Sequence, residues 1–257
     1  MSSKFLDRLE EIREGATPRL GFGTTRPPKL PGLGLIITAD GGKNGASAAG
    51  GLAPDAVVIS GSPVVQAGEI AEAAASVNWG VRADGLTSAD AASWREAGAD
   101  LLVFSLSGTA LGAVTSKDAA RVLAVNSDSS PEELRDINPL PVDAVLVSLP
   151  GDPAGWTLQD LAGLARVSGR VGKYLLAEIS GAPDGDTLEA LRNAGVAGLV
   201  MDLSAGEDTI KGLKESLLEM PRPGSDGRSR SNAILPGSVY ADRRPAQADP
   251  EPDDDDD

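Results

Sequence analysis

Eight short apolar runs punctuate the chain at even intervals: Leu33–Asp40, Ala56–Ser60, Trp79–Asp84, Asp100–Leu106, Arg121–Asp128, Asp143–Leu149, Tyr174–Ser180 and Gly198–Leu203. Most are nearly continuous rather than alternating, the pattern of parallel strands buried on both faces. Between them apolar residues return at helical spacing, most clearly over Val64–Val77, Ala89–Ala97, Thr157–Val167, Thr187–Ala194 and Asp208–Met220. Ser88 and Asp186 stand where N-caps belong, and Gly98 and Gly195 where helices should stop. The connectors after strands one, four and five are short or rich in Gly and Ala, which predicts stunted helices there.

Alternation of strand and helix specifies a parallel sheet with right-handed crossovers. Eight units favour closure into a (β/α)8 barrel over an open, doubly wound sheet. The polar residue near the C-terminal end of each run supports closure. These are Thr38, Ser60, Arg82, Ser105, Asn126, Ser148, Glu178 and Asp202, separated by 22, 22, 23, 21, 22, 30 and 24 residues. A polar group at an equivalent place on every strand is expected if the strands converge on one mouth. Weak internal repetition accompanies the spacing. Residues 54–60 echo residues 142–148, and three odd-numbered strands end alike in Thr38-Ala39-Asp40, Arg82-Ala83-Asp84 and Asn126-Ser127-Asp128. Duplication of a two-unit element and shared packing demands both account for that pattern.

Three segments follow, with boundaries at residues 1–32, 33–220 and 221–257. In the first, Phe5, Leu6, Leu9 and Ile12 share a helical face, and a helix here is expected to plug the bottom of the strands. The Pro-rich stretch Thr24–Pro31 breaks regular structure after it. The second segment is the barrel. The third is rich in Pro, Ser, Arg and Asp and ends in five aspartates, so it is expected to be a disordered acidic tail. Its one apolar island, Ala233–Tyr240, offers a docking segment within an otherwise solubilising stretch.

Composition then narrows the chemistry. Net charge is −15, which argues against nucleic acid and anionic membranes as partners. Cysteine and histidine are both absent, removing disulfides, zinc–thiolate sites, haem ligation by either residue and every histidine-based triad. No Schiff-base lysine is expected, since Lys173 lies at the start of the seventh strand, the wrong end of a barrel for catalysis. The N-terminus lacks a secretory apolar run, and no stretch approaches the roughly 20 apolar residues of a membrane helix, so a soluble cytoplasmic protein is expected.

Residues two apart on a strand share a face. Thr38 with Asp40, Arg82 with Asp84 and Asn126 with Asp128 should therefore point together, and Arg82 should oppose Glu178 and Asp202 across the mouth. Three readings stand open. Arg82 binds a small anionic molecule through its planar fork, with Asp40, Asn126 and Lys43 as further binding groups and Glu178 or Asp202 as the catalytic base. Alternatively Asp40, Glu178 and Asp202 hold a hard cation such as Mg²⁺. In the third, Arg82 and Glu178 form an internal ion pair that only fills the lumen.

Loops add weaker signals. Asp40–Gly45 is glycine-rich and contains Lys43, but fits a flexible connector better than an established phosphate-loop spacing. The loops after strands seven and eight, residues 180–186 and 203–208, hold the glycines common at barrel phosphate sites, yet Asp184, Asp186, Glu207 and Asp208 oppose a phosphate dianion. Pro150–Trp156 reads either as a small lid or as a turn with Trp156 packed on the next helix; Trp94 reads as outer core. Finally, the string Leu188–Asp202 resembles the last βαβ unit of many TIM-barrel enzymes, in which a helix ending in Ala-Gly leads into a buried strand with a functional end. The resemblance implies that architecture over residues 33–220 and a ligand site at the mouth. It implies no reaction, so an enzyme of the lyase, isomerase or aldolase kind and a non-catalytic ligand-binding or assembly barrel both remain.

Overall fold

A computed structural model describes residues 3–15 and 29–221. Eight parallel strands close on themselves in sequence order: β1 (Gly34–Ala39), β2 (Ala56–Ser60), β3 (Asn78–Ala83), β4 (Leu101–Phe104), β5 (Ala120–Val125), β6 (Ala144–Ser148), β7 (Tyr174–Ile179) and β8 (Val196–Asp202). Each coincides with one of the predicted runs to within a few residues at either end. The closing seam pairs Gly34 through Thr38 with Gly198 through Asp202. The described residues belong to one compact unit; the readings made for the Thr24–Pro31 stretch and for the tail fall largely or wholly outside them.

Helices cover the outer face: α2 (Gly42–Gly51), α3 (Ala67–Ala73), α4 (Ser88–Glu96), α5 (Pro131–Ile137), α6 (Leu158–Val171), α7 (Gly185–Asn193) and α8 (Glu207–Glu219). Of helical structure the crossover after β4 holds only a 3₁₀ turn, Leu111–Ala113, and α5 is two turns long, in keeping with the stunted helices expected after those two strands. After β1 the expectation fails. The stunted helix expected after β1, and the flexible connector expected over Asp40–Gly45, give way to a ten-residue helix whose small residues Gly42, Gly45, Ala46, Ala49 and Gly50 are buried. A Cβ at Gly45 would fall 2.0 Å from the Asp40 carbonyl oxygen, so only glycine permits the tight entry from β1 into this helix.

Two of the expected caps also shift. Thr87, not Ser88, caps α4 by accepting the Asp90 N–H, and Asp184, not Asp186, caps α7 by accepting the Thr187 N–H. In each case the residue with an extended backbone takes the role, as cap geometry demands. Gly98 and Gly195 end their helices as expected, each with φ of +97°.

The core has two layers. One lies between the strands and the outer helices; the other fills the barrel with Ile36, Val58, Leu101, Val103, Val122, Leu146, Leu176 and Val200. Helix α1 (Lys4–Glu14) completes this inner layer from below, as predicted: Phe5 and Leu9 are fully buried among the same residues. Two aspartates that precede even-numbered strands hold the plug. Asp100 accepts bonds from the Ser3 hydroxyl and from the Lys4 and Phe5 N–H groups. Asp55 accepts Arg8 Nε at 2.7 Å and the Leu35 N–H at 2.9 Å. Among the described residues α1 thus covers the N-terminal end of the strands, and a cavity lies at their C-terminal ends.

Candidate functional site at the barrel mouth

A cavity of about 460 Å³ opens at that end, lined by Thr38, Asp40, Ser60, Gly61, Ser62, Arg82, Ala83, Asp84, Glu178 and Asp202. Strands β1, β2, β3, β7 and β8 supply its walls. The period-two geometry of strands delivers Thr38 with Asp40, and Arg82 with Asp84, to the same space.

Arg82 forms the floor. Its side chain borders both this cavity and a small apolar void beneath it, bounded by Ile36, Val58, Val103, Val122, Leu146 and Val200 among others. From β3 it reaches across to β7, where Nη1 donates to Glu178 Oε1 at 2.5 Å. Glu178 Oε2 accepts from the Ser148 hydroxyl on the neighbouring β6. The pair is 32% and 25% exposed, so it sits at the base of an open cavity rather than sealed inside the lumen.

Asp202 is held differently. Its Oδ2 accepts the Thr38 hydroxyl at 3.1 Å across the closing seam, and its Oδ1 accepts the Ser204 N–H at 2.8 Å. Burial pushes its carboxyl up, but the hydrogen bonds from Ser204 and Thr38 outweigh that and hold it below the usual carboxylate range. Asp202 is therefore ionised at neutral pH. Asp40 and Asp84, on the rim of the same cavity, have no side-chain partner among the described residues.

The remaining candidates are not gathered here. Asn126 is exposed but does not line the cavity, and Lys43 is exposed in the first turn of α2. Ser105 turns back on the backbone, donating to the Asp84 and Ser107 carbonyls. The proposed metal set is not assembled either: among the described residues no three carboxylates converge to hold an ion. The reason is physical, since Glu178 is turned to Arg82 and Ser148 while Asp202 is turned to Thr38 and Ser204. Ser148 is the member of the Glu178 cluster that the candidate set lacked. Its place in the polar ring, level with Glu178 in the register, was the available signal.

The Pro150–Trp156 segment is a pinned turn. Asp152 caps it, Ser180 donates to the Gly151 carbonyl, and Trp156 Nε1 donates to the Pro150 carbonyl at 2.9 Å while its ring packs against the outer core. Trp94 is buried, edge-on to Trp79.

A closed ring of eight parallel strands, sheathed in helices and open at its C-terminal mouth, defines the TIM-barrel class, and this chain belongs to it in architecture. Solved structures agree. Tryptophan synthase from Mycobacterium tuberculosis aligns with 14% identity and a TM-score of 0.63, over 87% of this chain and 100% of that one. The 3-keto-L-gulonate-6-phosphate decarboxylase of Vibrio cholerae aligns with 12% identity and a TM-score of 0.58, over 72% and 97%. A tryptophan synthase alpha-subunit from Pyrococcus furiosus aligns with 11% identity and a TM-score of 0.56, over 73% and 97%. Such identities show the fold alone. No family model and no curated protein matches the sequence. Among the described residues no helix is long and apolar enough to cross a membrane.

Proposed function

We propose that this chain is a cytoplasmic small-molecule enzyme of the lyase or isomerase kind, working at the mouth on a substrate that bears a carbonyl or carboxylate. The observation that carries this reading is the Arg82–Glu178 contact at the base of an open cavity. Arg82 spends Nη1 on Glu178, and its Nε and Nη2 have no partner among the described residues. A substrate carboxylate or carbonyl that takes the guanidinium fork competes with Glu178 for it. Glu178 released in this way, still held by Ser148, becomes the base that removes a substrate proton. Asp202, fixed and ionised, orients donor groups of the substrate rather than exchanging protons.

A second reading is favoured by the same pair. An arginine already satisfied by a glutamate has no need of a ligand, and a non-catalytic barrel would keep it for that reason. A thermal-shift screen of small carbonyl and carboxylate metabolites separates the outcomes. The enzyme reading expects a compound that stabilises the full chain, fails to stabilise Arg82→Ala, and is bound but not turned over by Glu178→Gln. Binding with no turnover by the unaltered chain would favour the non-catalytic barrel, and no stabilisation by any compound would count against the mouth as a site.

A further inference from the structure

Resting on the mouth as the binding site, we propose that its ligand is a small amino-acid-like molecule, carrying a protonated amine as well as the carboxylate or carbonyl read by Arg82. Charge balance in the cavity requires both groups. Among the described residues the cavity is lined by four carboxylates, Asp40, Asp84, Glu178 and Asp202, and by a single cationic side chain, Arg82. Glu178 already offsets the Arg82 charge. Asp202 is ionised, and its hydrogen bonds come from a neutral hydroxyl and a backbone N–H, which leave its charge uncompensated. Asp40 and Asp84 have no side-chain partner at all among the described residues.

A simple anion entering this space meets a repulsive field, reinforced by the overall charge of −15. A simple amine satisfies the carboxylates but leaves the unpartnered Arg82 N–H groups without an acceptor. A molecule with both groups satisfies both sides. Its amine sits toward the Asp40 and Asp84 rim, where Ser60 and Ser62 of the intervening β2 end line the same wall, and its acceptor reaches the Arg82 floor. The expected anionic substrate is thereby refined: one negative group is accommodated, provided that a positive one accompanies it.

Calorimetric titration of the full chain with 4-aminobutyrate, butyrate and n-butylamine tests this directly, because the three share one carbon skeleton. The proposal expects 4-aminobutyrate to bind at least several-fold more tightly than butyrate. It also expects Asp84→Asn and Asp40→Asn each to weaken 4-aminobutyrate several-fold while leaving butyrate unweakened. Butyrate binding as tightly as 4-aminobutyrate, in an Arg82-dependent manner, would overturn the amine requirement while leaving the mouth as the site. Binding of 4-aminobutyrate unaffected by Arg82→Ala, or no binding of any of the three, would overturn both.

Discussion

Arg82 on β3 and Glu178 on β7 meet at 2.5 Å across the full width of the barrel, four strands apart in either direction around the ring. A contact of this kind reports closure: in an open sheet the same two strands would lie far apart. It also divides the lumen, with apolar layers below and the polar mouth above.

The pair is partly exposed, so its own contribution to stability is modest. A double-mutant cycle with Arg82→Ala and Glu178→Ala is expected to give a coupling of about 1 kcal/mol, as befits ion pairs between the exposed and buried extremes. Urea denaturation of the four proteins provides the measurement. A coupling indistinguishable from zero would show that the two charges are not held together in solution.

The bottom plug should matter far more. Phe5 is 0% exposed inside the barrel, so Phe5→Ala is expected to cost about 3–5 kcal/mol through lost burial and a cavity. The same substitution lies at the far end from the mouth and should leave ligand affinity there unchanged. An unfolding midpoint close to that of the unaltered chain would mean that α1 does not occupy the lumen.

Among the described residues Arg121 and Asp143 form the most protected ion pair. Arg121 is 7% exposed, donates Nε and Nη2 to the two carboxylate oxygens of Asp143, and donates Nη1 to the Val114 carbonyl. It thereby fastens the long β4–β5 connection, which lacks an α-helix to do so. Arg121→Ala should destabilise by about 1–3 kcal/mol because the half-buried Asp143 carboxylate loses two charge-assisted hydrogen bonds and keeps only the backbone N–H at position 121.

The same pair gives a pH signature. Burial pushes the Asp143 carboxyl up, but bonds from the Arg121 side chain and backbone prevail and hold it below its ordinary value. A carboxyl depressed in the folded state stabilises fully above its unfolded value near 4, and that contribution disappears as pH falls through the folded value. Stability measured by urea midpoint should therefore drop on acidification below about pH 4, and Asp143→Asn should flatten that drop. An unchanged slope in the variant would assign the acid sensitivity elsewhere.

Much of this was written in the pattern of the chain. Parallel strands buried on both faces leave unbroken apolar runs, and each such run is a strand of the barrel. Period-two spacing put Arg82, Glu178, Thr38 and Asp202 into one mouth. What eluded the pattern depended on local geometry. Whether Ser105 faces the mouth or bonds back to Asp84 is decided by loop conformation, not by its position in the repeat. The α2 helix forms because Gly45 leaves room for the Asp40 carbonyl where the chain turns out of β1, and because Ala46 and Ala49 are buried in the outer core, a gain that outweighs poor helix propensity. The echo between residues 54–60 and 142–148 also acquires a structural meaning. Asp55 and Asp143 each accept the N–H of the residue opposite on the preceding strand, Leu35 and Arg121.

Small molecules binding at the mouth, as proposed, must perturb the Arg82–Glu178 floor. Backbone and guanidinium NMR shifts, followed during titration with the best-binding compound of the thermal-shift screen, test this proposal most directly. The largest changes are expected at Thr38, Asp40, Ser60, Arg82, Asp84, Glu178 and Asp202, with the Arg82 Nε–H signal among them. Changes confined to α1 or to the outer helices, with Arg82 unmoved, would contradict it.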